Sequence, residues 1–85
     1  MSYSFEEMSD EQLEVQDDLE ALRDVLAYEL QAINRYQEHL LYLENEEAAS
    51  VMERIVEQEK EHVAELLRLI QTLDPVQAEK LRKTL

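Results

Sequence analysis

Not one of the 85 residues is glycine, and the single proline is Pro75. Tight two-residue hairpins and phosphate-cradling loops both depend on glycine, so β-rich folds and nucleotide loops are poor fits. The residues that dominate instead are Leu, Glu, Gln, Ala, Arg and Lys, all good helix formers. The chain reads as all-α and as one domain. A fold this small buries a modest core and is commonly reinforced by a metal or by a second copy.

The helix boundaries follow from capping residues. Residues 1–8 have no clear period and are expected to form a mobile or loosely docked tail before a helical domain at 9–85. Ser9 followed three residues later by Gln12 predicts a capping box, and helical periodicity runs from there to about Glu44. Asn45, with Glu46 and Glu47 after it, suits the start of a second helix reaching about Leu73. Asp74-Pro75-Val76-Gln77 is a stop and restart: Asp74 as N-cap, Pro75 at the first helical position, Gln77 closing the box, and a short helix over about 76–84. A connection as short as that near residue 45 predicts an antiparallel hairpin of the two long helices. The competing arrangement is one continuous helix.

Both long helices carry an apolar stripe with steps of three and four. In the first it runs Leu19, Leu22, Leu26, Glu29, Ile33, Tyr36, Leu40, Leu43, and in the second Met52, Ile55, Glu59, His62, Leu66, Leu69, Leu73. Val25 and Ala32, then Val56, Val63 and Ile70, widen the two faces. Each helix thus has more to bury than one partner covers.

Three ionisable residues interrupt these stripes: Glu29, Glu59 and His62. An unpaired charge in such a place costs several kcal/mol unless it is neutralised, paired or metal-bound. A lone seam Glu more often sets register, and a lone His more often sits hydrogen-bonded in a core. Here the register joins the three. With the hairpin apex near residue 46, Glu29 lies 17 residues before it, and Glu59 and His62 lie 13 and 16 after it. At ~1.5 Å rise per residue they fall within roughly 6 Å of one level. Glu59 and His62, three apart, project from one face. No Lys or Arg on the stripes neutralises them. Two carboxylates and one imidazole suit iron or manganese better than structural zinc. Carboxylate-bridged di-metal bundles use a Glu from each of two helices and Glu-x-x-His from each of the other two. One chain holds half of that set, so a two-fold pair of hairpins is expected to complete a four-helix bundle and the site together.

The segment Glu29-Leu-Gln-Ala-Ile-Asn-Arg-Tyr36, followed by Glu59-Lys-Glu-His62, resembles the ferritin-like superfamily. It is most similar to the half-length encapsulated ferritins and also resembles the rubrerythrin branch. The resemblance covers about residues 19–81, including the Leu-Asp-Pro turn at 73–75. It implies a ferroxidase with two Fe ions per dimer as cofactor, Glu29, Glu59 and His62 as catalytic iron ligands, and Tyr36 as a neighbouring group behind them. It implies a homodimer or a higher oligomer such as a ring of dimers, with an encapsulin shell as partner and a cytoplasmic nanocompartment as location. Some members carry carboxylates one residue before and two after the first Glu, as an iron entry site. Tyr28 and Gln31 stand there in this chain, so no entry site is expected. The glycine-rich linker and targeting peptide of shell-directed members are not found between Pro75 and Leu85. His39, ten residues and about 15 Å from Glu29, reads as a flanking residue.

Two alternatives stand beside this reading: a rubrerythrin-like peroxidase on the same site, and a non-enzymatic helical oligomerisation module. The absence of cysteine excludes disulfides, thiolate sites and a Cys-ligated electron-transfer iron. The net charge of −13 disfavours nucleic acid and anionic membranes as partners and favours cations. No apolar run approaches the ~20 residues of a membrane span, and the N-terminus lacks the basic and apolar regions of a signal peptide.

Overall fold

The computed structural model describes residues 7–85; the expected tail lies largely outside them. Three helices follow in order: α1 over Asp10–Leu40, α2 over Glu46–Leu73 and α3 over Pro75–Thr84. No strand occurs among the described residues. The expected all-α class, the break near residue 45 and the restart at Pro75 all appear. No helix is long and apolar enough to cross a membrane.

Each start is capped by its own side chain. Ser9 Oγ accepts from the Gln12 N–H (3.2 Å), and Gln12 Oε1 accepts from the Ser9 N–H (2.8 Å), which completes the capping box. Asn45 Oδ1 accepts from the Ala48 N–H at 2.8 Å, with Glu46 and Glu47 in the positive first turn. Asp74 Oδ1 accepts from the Gln77 N–H at 3.1 Å. The Gln77 contribution is its backbone N–H, where a side-chain return bond was expected.

The first helix ends earlier than expected, at Leu40 and not near Glu44. It closes without a left-handed residue. Helices commonly close with a left-handed residue, usually glycine, and no described residue here has positive φ. Instead α1 tightens: the Leu41 N–H donates to Glu38 O (3.1 Å) and the Tyr42 N–H to His39 O (3.0 Å), i→i−3 bonds that use up the last turn. Leu41 and Tyr42 are thereby placed on the hairpin tip, 77% and 78% exposed.

The two long helices pack antiparallel, with α3 folded back along α2. The continuous-helix arrangement is not adopted. Gln77 and Leu81 of α3 face a hollow shared with Leu26, Leu67 and Ile70. At ~100° per residue, Leu67 lies about 140° round α2 from His62, so α3 covers the flank away from His62. Arg23 Nη2 reaches Asp74 Oδ2 at 3.0 Å and ties α1 to the α2–α3 corner.

Only Leu19, Val56 and Ile70 are buried among the described residues. On α1 the expected stripe holds: Leu22, Leu26, Ile33, Tyr36 and Leu40 are all half-buried beside Leu19. On α2 the centre shifts by one position. Val56, Val63 and Ile70, expected as the outer row, are the row against α1. The row containing Ile55, His62 and Leu69 is turned toward the uncovered flank, with Leu69 exposed. The two rows lie ~100° apart on the helix, so alternation alone leaves their order open. The molecule measures 56 × 27 × 15 Å with a radius of gyration of 17.4 Å. A compact domain of this length has about 12 Å. The described residues form one helical layer, apolar on a face that none of them covers.

Candidate metal centre

The level match drawn from sequence holds in three dimensions. Glu29 comes from the middle of α1, and Glu59 and His62 from the middle of α2. One ligand atom from each lies within 4.8 Å of the others. No other set of three such side chains converges in this way among the described residues. His62 Nδ1 is 3.5 Å from Glu29 Oε2 and 3.7 Å from Glu59 Oε2.

The three differ in shelter. The Glu59 and Glu29 side chains are 17% and 23% exposed, and the His62 side chain is 53% exposed. The carboxylates sit between the helices, and the imidazole forms the rim. The site therefore opens onto the flank that α3 leaves bare.

Glu29 Oε2 is buried and has no hydrogen-bond partner. The His62 nitrogen at 3.5 Å lies beyond the usual hydrogen-bond range. A buried carboxylate oxygen without a donor is costly. No Lys or Arg forms an ion pair with Glu29 or Glu59; the lysine pairs are Lys60–Glu57 and Lys83–Glu79. The donor set is oxygen-rich with one imidazole, and a cation would satisfy the unpaired oxygen. These residues fit iron or manganese.

The remaining singled-out residues lie along α1, outside this converging set. Tyr36 is half-buried on α1, lining a hollow of about 290 Å³ with Tyr28, Gln31, Arg35 and His39. His39 is exposed there, outside the converging set, as expected of a flanking residue. Tyr28 is 75% exposed and Gln31 is exposed. The Arg23–Asp74 pair was not legible in the sequence, since its partners are 51 residues apart and carry no motif.

No protein-family model matches the chain, and no solved structure matches it. Curated proteins do match part of it. The encapsulin nanocompartment cargo protein EncC of Myxococcus xanthus is 42% identical over 50 residues, 59% of this chain and 38% of that protein. A ferritin-like–encapsulin shell fusion protein of Pyrococcus furiosus is 36% identical over 64 residues, 75% of this chain and 19% of the fusion. The cargo protein EncB of Myxococcus xanthus is 36% identical over 58 residues, 68% of this chain and 37% of EncB. The matched stretches span less than two-fifths of each relative. The chain is thus similar, over part of their length, to encapsulin-associated cargo and ferritin-like fusion proteins.

Proposed function

We propose that two copies of this chain pair through the bare flank to form a ferroxidase centre that takes Fe(II) as its substrate. The observation that carries the reading is the convergence of Glu29, Glu59 and His62 around an unsatisfied, buried Glu29 oxygen. The partial similarity to ferritin-like and encapsulin cargo proteins supports it.

Charge explains why pairing and metal belong together. Two half-sites bring four carboxylates to one place, a charge of −4 that opposes assembly in a sheltered site. Two Fe(II) ions balance it. Together they would supply two electrons, which with two protons from solvent take dioxygen to hydrogen peroxide. Glu29 and Glu59 would hold the metals, His62 would supply one nitrogen per metal from the rim, and Tyr36 would be a neighbouring group on α1. The acidic surface raises the local Fe(II) concentration. An encapsulin shell would be the compartment and the destination of the ferric product.

Anaerobic Fe(II) titration followed by oxygen tests this in the parent and in His62→Ala. The parent is expected to bind about one iron per chain, to dimerise on loading and to give a transient absorbance on oxidation. His62→Ala is expected to lose iron binding and oxidation. Binding unchanged in His62→Ala overturns the ligand assignment, and a strictly monomeric iron-loaded protein overturns the shared site. Peroxide offered in place of oxygen identifies the preferred oxidant.

A further inference from the structure

The bare flank is apolar along its middle, where Val25 and Leu69 are exposed, and charged along its two edges. Counted at ~100° per residue from Glu29, Asp24 and Arg35 lie about 140° and 120° round α1. That is the side away from Leu26, which lines the hollow under α3. Counted from His62, Arg54 and Glu65 lie about 80° and 60° round α2, again on the side away from Leu67 and Ile70. All four are exposed, and none forms an ion pair among the described residues. Each edge of the flank thus presents one cation and one anion without a partner in its own chain.

Their heights are matched about the metal centre. Arg35 lies about 9 Å from Glu29 toward the hairpin tip, and Asp24 about 8 Å toward the other end. On α2, measured from midway between Glu59 and His62, Arg54 lies about 10 Å toward the tip and Glu65 about 7 Å the other way. Both cations are therefore on the tip side of the centre and both anions on the far side. When two half-sites face each other, unlike helices or like helices lie together. Unlike helices would set Arg35 against Arg54 and Asp24 against Glu65, and every edge contact would repel. Like helices set Arg35 against Asp24 and Arg54 against Glu65, at heights that agree to about 3 Å or better, and every edge contact attracts.

We infer that Asp24, Arg35, Arg54 and Glu65 are the residues by which one copy selects another: Arg35 of each copy pairs with Asp24 of the other, and Arg54 of each with Glu65 of the other. The occupant of the flank is a second copy of this chain, and the inference rests on the shared-site reading. Each pair is an edge contact of modest strength. The four together set register and reject mispaired arrangements, while the apolar middle and the metal supply most of the affinity. Two chains of net charge −13 repel one another as wholes, so a local match of opposite charges is what gives one approach an advantage over the rest.

Charge reversal tests the pairs in the full chain, with Mn(II) as the loading metal and sedimentation across a dilution series as the readout. Arg35→Asp alone and Asp24→Arg alone each place like charges together twice per dimer, and each is expected to weaken dimerisation about tenfold or more. The first makes the chain more negative and the second less so. General repulsion therefore predicts opposite changes, whereas the ion pairs predict weakening in both. Mixing the two variants in equal amounts is expected to restore parental affinity, because each copy then meets the opposite charge in the other; damage to one chain's own fold would not be repaired in this way. Arg54→Glu and Glu65→Arg are expected to behave as a second such set. Tighter dimerisation of Arg35→Asp overturns the inference in favour of unlike helices together. Parental affinity in both single variants, or no recovery on mixing, overturns the pairs while leaving the shared site standing if the dimers still bind about one metal per chain. A parent that loads metal as a monomer overturns both.

Discussion

The two flanks of the hairpin solve the same problem differently. Both helices have wide apolar faces, and α1 against α2 covers only part of each. On one flank α3 folds back, and Leu81 joins Leu26, Leu67 and Ile70. That flank is partly covered by the chain itself, with Ile70 buried, Leu67 still 38% exposed and Arg23 at its edge. The other flank is left bare, and Glu29, Glu59 and His62 open onto it. The difference teaches that the polar residues are placed where the chain does not finish its own packing. A charge on the α3 flank would have to be neutralised within one chain. On the bare flank a cation and a second copy serve that purpose together.

The comparison breaks first if the covered flank is not what holds the monomer. Ile70 is 4% exposed and Leu69, its neighbour on the bare side, is 38% exposed. Ile70→Ala is expected to cost about 3 kcal/mol of hairpin stability, read by urea unfolding at concentrations where the protein is monomeric. Leu69→Ala should cost well under half of that in the same measurement and should weaken dimerisation instead. Equal losses from the two would mean that the flanks are not distinct.

Next in size is the behaviour of Glu29. Replacing it by Leu removes the orphaned buried oxygen, so the metal-free protein is expected to become more stable, by about 1–3 kcal/mol. Metal should reverse the order. At a free metal concentration about a hundred times Kd, the parent gains about 2.7 kcal/mol from Mn(II) or anaerobic Fe(II), and the Leu variant gains none. Thermal unfolding with and without metal reads both signs at once. A metal-free parent more stable than Glu29→Leu would show that the carboxylate is satisfied without a cation. The helical-module alternative predicts no metal dependence in either protein.

The corner between the flanks comes third. Asp74 caps α3 and also receives Arg23, so it holds the cover in place from both sides. Asp74→Ala is expected to cost about 1–2 kcal/mol, most of it from the cap. Asp74→Asn keeps the cap and should cost less. Arg23→Ala should cost under ~1 kcal/mol, because its side chain is 46% exposed and the pair is screened. A larger loss from Arg23→Ala than from Asp74→Ala would mean that the ion pair, not the cap, fixes α3.

Much of this was legible before any coordinates. Caps are local chemistry, so Ser9, Asn45 and Asp74 mark the helix starts unaided. The level of Glu29 with Glu59 and His62 follows from counting residues from a turn. The end of α1 did not follow, because the periodicity continues through Leu43 while the backbone tightens at Leu41. Nor did the order of the two rows on α2. His62 and Val63 are both compatible with an apolar face, and only packing against α1 decides that Val63 turns inward and His62 sits on the rim. That shift matters to function, since it faces the imidazole toward a second copy.

The smallest expected effect concerns the start of α1 and sharpens the comparison where both flanks run out. Ser9→Ala removes one bond of the capping box and is expected to cost about 0.5–1 kcal/mol of helix stability in the first turn. Those turns project beyond α2, so their fraying should hardly move the unfolding of the hairpin. Far-UV circular dichroism at low temperature reads the fraying, and urea unfolding reads the hairpin. A loss in urea from Ser9→Ala as large as that from Asp74→Ala would show that the first turns of α1 are packed as tightly as the corner that holds α3.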